Sequence, residues 1–388
     1  MPRCPARGSL TTALACGLFL GGCTATPEPS PIQPSTASPS RQAPAQSSTT
    51  DPPAVPTLTP APVPMESATV SPAFQELRAT LELFSREKLE DGASAVLIKA
   101  KVGQQEWMLA EGVRSRDRRI PVQPGDRFPV GEQYRTFLAV SVMKLVEEGR
   151  LGLEDPASAY LPGSFAADSP VTIRQLLGDD DDLFDVPPAD VAAAAGSDAY
   201  LLLGQVVEQL RGAPLATVLR TDILTPLNLR STEILAPNAA APDDLIHGYV
   251  LLKGEAVDVT GTTVPAGIST GGLVSTAEDI PVFHAALLRG RLLSPASLIA
   301  MKGTVFADYG LGLDHWDDRC TNGSYYGHAG DIPGYGSVSI SSADGSRQLS
   351  IFVAYPPQPV SSQPSALALE MTGVAQVALN SGCRFQFR

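Results

Sequence analysis

Between residue 24 and about residue 70 the chain is almost wholly Pro, Ser, Thr and Ala, with hardly a charge or a large apolar side chain. Such a stretch cannot bury enough surface to offset the entropy lost on ordering it. Its prolines make it an extended, semi-stiff spacer. A chain of 388 residues has room for one large domain or two small ones. The spacer confines folding to residues 71–388.

What precedes the spacer reads as an export signal. Arg3 and Arg7 are followed by a short apolar run, Leu10 to Leu20, too short to span a bilayer stably. The run ends at Leu20-Gly21-Gly22-Cys23, which resembles the lipobox of bacterial lipoproteins. There the Cys thiol is lipidated and becomes the mature N-terminus. The expected layout is a signal peptide over 1–22, a linker over 23–70 and one domain over 71–388. Cys23 would anchor that domain to a bacterial cell membrane on its periplasmic or extracellular face. An ordinary signal peptide with an incidental Cys is the alternative.

Cys4 and Cys16 would leave with the signal, so Cys320 and Cys383 remain as an even pair in an oxidising compartment. A bridge between them would add roughly 4 kcal/mol in the chain-entropy model. Two buried free thiols are the alternative. Neither has a His at zinc-ligand spacing. The formal charge of −13 argues against a nucleic-acid partner, which needs clustered Lys and Arg.

Order begins near Ser71, where Phe74, Leu77, Leu81, Phe84 and Leu89 recur at helical spacing. Ser94 to Val102 and Glu106 to Glu111 alternate like a hairpin turning at Gly103. Thr136 to Glu148 reads as a long, buried helix stopped by Gly149. Residues from about 150 to 300 read as a mainly helical subdomain. Gly334 to Ser341 and Arg347 to Tyr355 alternate about the turn Ala343-Asp344-Gly345-Ser346, and a helix follows from about Ser365 to Asn380. The expected class is α/β in the α+β sense: an antiparallel sheet made from both ends of the chain, flanked by helices, with the helical subdomain inserted. No regular β-α-β alternation supports a doubly wound sheet.

Several stretches carry a resemblance. They are Phe128-Pro129-Val130-Gly131, Leu145 to Leu151, Asp155-Pro156, Tyr160-Leu161-Pro162 and Val171 to Leu177. Further on come Tyr200 to Gly204, Pro226 to Thr232, Gly271 to Thr276, Gly310-Leu311-Gly312 and Gly327-His328-Ala329-Gly330. Together, over about residues 72–383, they resemble the serine β-lactamase, D,D-carboxypeptidase and esterase family in its class C-like branch. The resemblance implies acyl transfer. A Ser at the start of the central helix attacks a carbonyl, and a Lys one turn later takes its proton. A Tyr assists, a Lys-Thr-Gly or His-x-Gly strand borders the substrate, and two backbone N–H groups form an oxyanion hole.

The polar motifs depart from that pattern. Counting back from Leu145 to Gly149, the Ser-x-x-Lys position holds Glu132-Gln133-Tyr134-Arg135. Glu132 is no nucleophile of the needed kind, and Arg135 stays protonated. Counting back from Tyr200, the Tyr-x-Asn position holds Ala195-Gly196-Ser197. The loop after Leu177 has become Asp179-Asp180-Asp181-Asp182, and only His328-Ala329-Gly330 survives. Ser141-Val142-Met143-Lys144 spells Ser-x-x-Lys, yet Ser141 lies nine residues beyond Glu132, about 13 Å further along a helix.

The expected function is therefore a catalytically degenerate binding or scaffold module of the cell envelope. Its binding residues are expected to be His328, Ala329, Gly330, Asp331 and Ser197, holding a peptidoglycan peptide or an envelope protein. No cofactor and no metal are expected, although Asp179 to Asp182 with Asp185 could offer oxygen ligands to Ca²⁺. Glu132 and Arg135 are spaced for an ion pair at the helix start. The rival reading is a serine-type hydrolase with a non-standard nucleophile, Ser197 or Ser141, or with Glu132 as a general base. His247, His284 and His315 read as surface or packing residues.

Overall fold

The computed structural model describes residues 70–162, 169–178, 199–236, 240–263, 272–305, 308–361 and 365–381. Helix α1 spans Pro72–Glu90. Ser71 caps it by accepting the Phe74 backbone N–H at 3.2 Å, and Pro72 takes the first helical position, where a missing N–H costs nothing. Phe74, Leu77, Leu81 and Phe84 form its buried stripe.

A seven-stranded antiparallel sheet occupies the centre, in the order β3-β2-β1-β12-β11-β10-β9. The strands are β1 (Ala95–Val102), β2 (Gln105–Ser115), β3 (Ile120–Pro121), β9 (Asp314–Asp318), β10 (Gly323–Ile332), β11 (Tyr335–Ser342) and β12 (Arg347–Ala354). The early strand β1 pairs with the late strand β12, Ala95 opposite Ala354 through Val102 opposite Arg347. The sheet is thus made from both ends of the domain, as expected. Side chains alternate between its faces. Val96, Ile98 and Ala100 pack with α1 and with Met371, Ala375 and Leu379 of the helix Ala366–Ser381. Ala95 and Leu97 join the larger core on the opposite face.

That larger core is built around α2, Tyr134–Glu147, entered through a short 3₁₀ turn, Gly131–Gln133. Ten of the fourteen α2 residues are buried, so it is apolar on nearly every side. Phe137 stacks on Phe283 with ring centroids 3.6 Å apart.

The region from 150 to 300 is less purely helical than its composition suggests. Helices cover Ile173–Leu177, Ala199–Arg211, Leu215–Leu219, Asp279–Leu288 and Pro295–Lys302. Short strands β4 (Phe128–Pro129), β5 (Glu233–Ile234) and β8 (Leu273–Ser275) form a separate three-stranded sheet. Strands β6 (Tyr249–Leu252) and β7 (Glu255–Asp258) form a hairpin. Its turn, Lys253-Gly254, takes positive φ at both residues, the geometry a two-residue hairpin requires. Among the described residues no helix is long and apolar enough to cross a membrane.

Candidate active site

The site forms where the start of α2 meets β10. Two glycines permit the approach. Gly131 has φ 57°, a left-handed conformation most side chains avoid. A Cβ on Gly330 would stand 2.2 Å from the Val130 carbonyl oxygen and 3.0 Å from the Glu132 nitrogen. The junction is then fastened by side chains. Ser337 of β11 donates to the Val130 carbonyl at 2.8 Å, and Gln133 Nε2 donates to Ser337 Oγ at 2.6 Å. Thr136 donates to the Gly312 carbonyl at 2.7 Å.

This packing aims two backbone N–H groups at one point. The Asp331 N–H donates to Glu132 Oε2 at 2.7 Å, and the Glu132 carboxylate also meets its own backbone N–H. Burial pushes the Glu132 pKa up, opposed by the two N–H groups and by the neighbouring Arg135 and His328 side chains. Sequence spacing pointed to a Glu132–Arg135 ion pair. The Asp331 backbone N–H that this carboxylate accepts lies 199 positions away in sequence. Arg135 sets its guanidinium 5.0 Å from the Tyr200 ring centroid and acts on Glu132 through its field.

His328 is buried in β10. Its Nδ1 donates to the Ala329 carbonyl at 2.5 Å, and its Nε2 lies 2.9 Å from the Tyr309 hydroxyl. The carbonyl can only accept, so Nδ1 carries a hydrogen; in the neutral ring Nε2 then accepts from Tyr309. The Tyr309 and Tyr200 hydroxyls are 3.3 Å apart, and Tyr200 donates to the Leu177 carbonyl at 2.6 Å. Burial, more than any neighbour, pushes the Tyr309 pKa well up, so it stays a phenol. Asp314 accepts the Ala329 N–H at 3.2 Å and lies 3.8 Å from His328 Nδ1. Asp331 accepts the Ser365 N–H at 2.5 Å, tying β10 to the start of the helix Ala366–Ser381.

Glu132, Arg135, His328, Ala329, Gly330 and Asp331 all line one cleft of about 470 Å³. Sequence reasoning therefore placed these residues in a common site. Ala195, Ser197 and Asp179 to Asp182 lie outside the described residues, as do Cys23 and Cys383. Cys320 is disulfide-bonded. Among the described residues no three His, Cys, Asp or Glu side chains converge to hold a metal. Ser141 is 0 % exposed inside α2 and does not line the cleft. His247 pairs with Asp258 at 2.6 Å, His284 is fully buried, and His315 packs edge-on against Tyr326. Sequence reading missed the Tyr309–Tyr200 pair and Asp314. Tyr309 sits immediately before Gly310-Leu311-Gly312, and that adjacency was the available signal.

A seven-stranded sheet closed by strands from both ends faces a buried helix whose first turn meets β10 at a pair of backbone N–H groups. The beta-lactamase family model matches residues 83–178 and 195–356, and the chain belongs to that family. It is 23 % identical over 264 residues to the Putative penicillin-binding protein PbpX of Bacillus subtilis (strain 168), covering 62 % of this chain and 65 % of the relative, just under two thirds. It is 28 % identical over 274 residues to Penicillin-binding protein 4 of Amycolatopsis lactamdurans, covering 59 % and 70 %. The fold is similar to that of a D-stereospecific amidohydrolase from a Streptomyces species, with TM-score 0.60, 24 % identity, and coverage of 72 % of this chain and 94 % of the other.

Proposed function

We propose that the protein is a non-acylating member of its family, a binding or scaffold module of the cell envelope that keeps the cleft and has given up the covalent step. One observation carries this reading. Where the family's nucleophile would stand, the Glu132 carboxylate fills the pair of backbone N–H groups that would stabilise a developing oxyanion. A carboxylate already in that hole competes with a substrate carbonyl for both donors. Arg135, one turn on, is permanently protonated and cannot serve as a base. His328 has both ring nitrogens engaged inside the fold.

The ligand in this reading is a peptide of peptidoglycan type or an envelope protein. Similarity to penicillin-binding proteins and to a D-stereospecific amidohydrolase supports a peptide with D-residues. Cys23 would carry the lipid that holds the module at the membrane on its periplasmic or extracellular face. A second reading has its own support. Burial raises the Glu132 pKa, which suits a general base acting on water in a hydrolase.

The test is intact mass after incubating the folded protein with a penicillin and, separately, with a fluorophosphonate. No adduct is expected with either. A stoichiometric adduct would overturn the proposal, and peptide mapping would locate the nucleophile, with Ser141 and Ser197 the first positions to inspect. Turnover of a D-alanyl peptide without any adduct, abolished by Glu132→Gln, would favour the general-base reading.

A further inference from the structure

The hairpin joining β2 to β3 is chemically unlike the rest of the chain. It reads Arg114-Ser115-Arg116-Asp117-Arg118-Arg119, four guanidiniums against one carboxylate, in a chain of formal charge −13. Arg114 is neutralised by Asp126, its partner at 2.6 Å. Arg116 is held by neutral groups: it donates to the Gly92 carbonyl just beyond α1 and lies 5.5 Å from the Tyr249 ring centroid. Arg118 and Arg119 are exposed, and among the described residues neither forms an ion pair. Arg119 also takes φ 50°, a left-handed conformation unusual for Arg, in the loop between the paired residues Ser115 and Ile120. Backbone strain of this kind collects at ligand clamps.

A hollow of about 540 Å³ opens beside this loop, walled by Leu89, Ala93, Val113, Ser94, Arg116 and Arg119. Ser94 is 4 % exposed, and its hydroxyl has no hydrogen-bond partner. A buried polar atom without a partner marks a place a ligand can satisfy.

We propose that this hollow is a phosphate-ester site, separate from the cleft. Arg116, Arg118 and Arg119 less Asp117 leave about two positive charges, which matches a phosphate monoester near neutral pH. Guanidinium forks bind phosphate oxygens in pairs. Leu89, Ala93 and Val113 accept the ligand's apolar part. A lipid headgroup and a soluble phosphate ester share this chemistry.

The test uses the full chain carrying Cys23→Ser, so that no acyl group contributes. One arm measures co-sedimentation with vesicles containing phosphatidylglycerol and with neutral phosphatidylcholine vesicles. The other titrates glycerol 3-phosphate by calorimetry. Each is repeated with Arg118→Gln/Arg119→Asn; Asn tolerates the left-handed backbone, and unchanged thermal melting establishes that the variant folds. Binding in at least one arm is expected, weakened roughly tenfold or more by the double substitution and further by salt. Pelleting with anionic vesicles alone assigns the site to a lipid headgroup, and saturable binding of the ester alone to a soluble ligand. Absence of binding in both arms, or equal binding by the variant, overturns the proposal.

Discussion

His284 lies in the helix Asp279–Leu288 with 1 % exposure, and neither ring nitrogen has a hydrogen-bond partner. Its nearest ring is Phe283, with centroids 5.2 Å apart. Charging an imidazole there means placing a cation in apolar surroundings, so burial, aided by His328, pulls the pKa down to about 3. The unfolded chain restores an ordinary value near 6.5. The sign follows from proton counting. Between these values the unfolded state binds a proton that the folded state refuses, so stability is full above about pH 6.5 and falls as the pH drops towards 3. The lost increment at pH 4.5, relative to pH 7, is about 2.5 kcal/mol. His284→Phe keeps a ring and removes the titration. Its stability at pH 7 mixes the gain from deleting unpartnered nitrogens with the strain of a larger ring, so that value alone decides nothing. The informative quantity is the change between pH 7 and pH 4.5, from urea unfolding of both proteins. Carboxylates such as Asp344, whose bonded pKa is about 2, destabilise both proteins on acidification and cancel in the comparison. Wild type should lose about 2.5 kcal/mol more than the variant. Parallel losses, within about 0.5 kcal/mol, would refute the reading of His284 as a buried neutral base.

Glu132→Gln keeps oxygen acceptance from the Asp331 N–H while removing the buried charge, so thermal melting should rise by several degrees at pH 8 and change little at pH 4. The sign follows from the raised carboxyl pKa: its charge costs stability as pH climbs past the ordinary carboxylate range. Gly330→Ala would drive a methyl against the Val130 carbonyl and separate β10 from the start of α2, costing about 1–3 kcal/mol in denaturant unfolding. Cys23→Ser should move the protein from the membrane to the soluble fraction of the producing cell; continued membrane residence would remove the lipid-anchor reading.

The central sheet was legible because β1, β11 and β12 are short runs rich in Val, Ile, Leu and Phe or alternating with Ser, and their turns carry glycines at Gly103 and Gly345. The site was legible in position, since a fixed count back from Leu145 to Gly149 lands on Glu132 at the helix start. What Glu132 does there was not legible. Its decisive partner is a backbone N–H, which every residue but Pro carries, so no side-chain pattern announces it. Local spacing pointed only to Arg135, whereas the two backbone donors are brought to the carboxylate by tertiary packing. Strands β4, β5 and β8 were missed because two or three residues are too few to display a period. The β6–β7 hairpin did leave a signal, Tyr249 to Leu252 followed by Lys253-Gly254, which the helical reading of its surroundings obscured.

The pairing of β1 with β12 has a consequence for how the chain is made. The two strands are separated by about 250 residues of sequence. At synthesis rates of about 5–20 residues per second, β1 and β2 wait roughly 12–50 seconds before β12 exists. Throughout that interval one edge of β1 is open, and Val96, Leu97 and Ile98 lack the covers they acquire later. An apolar open edge is a template for pairing with another chain. Newly made protein is therefore most vulnerable to aggregation before its last strand arrives, and shortening the delay by circular permutation, with β12 synthesised just ahead of β1, should raise its soluble yield.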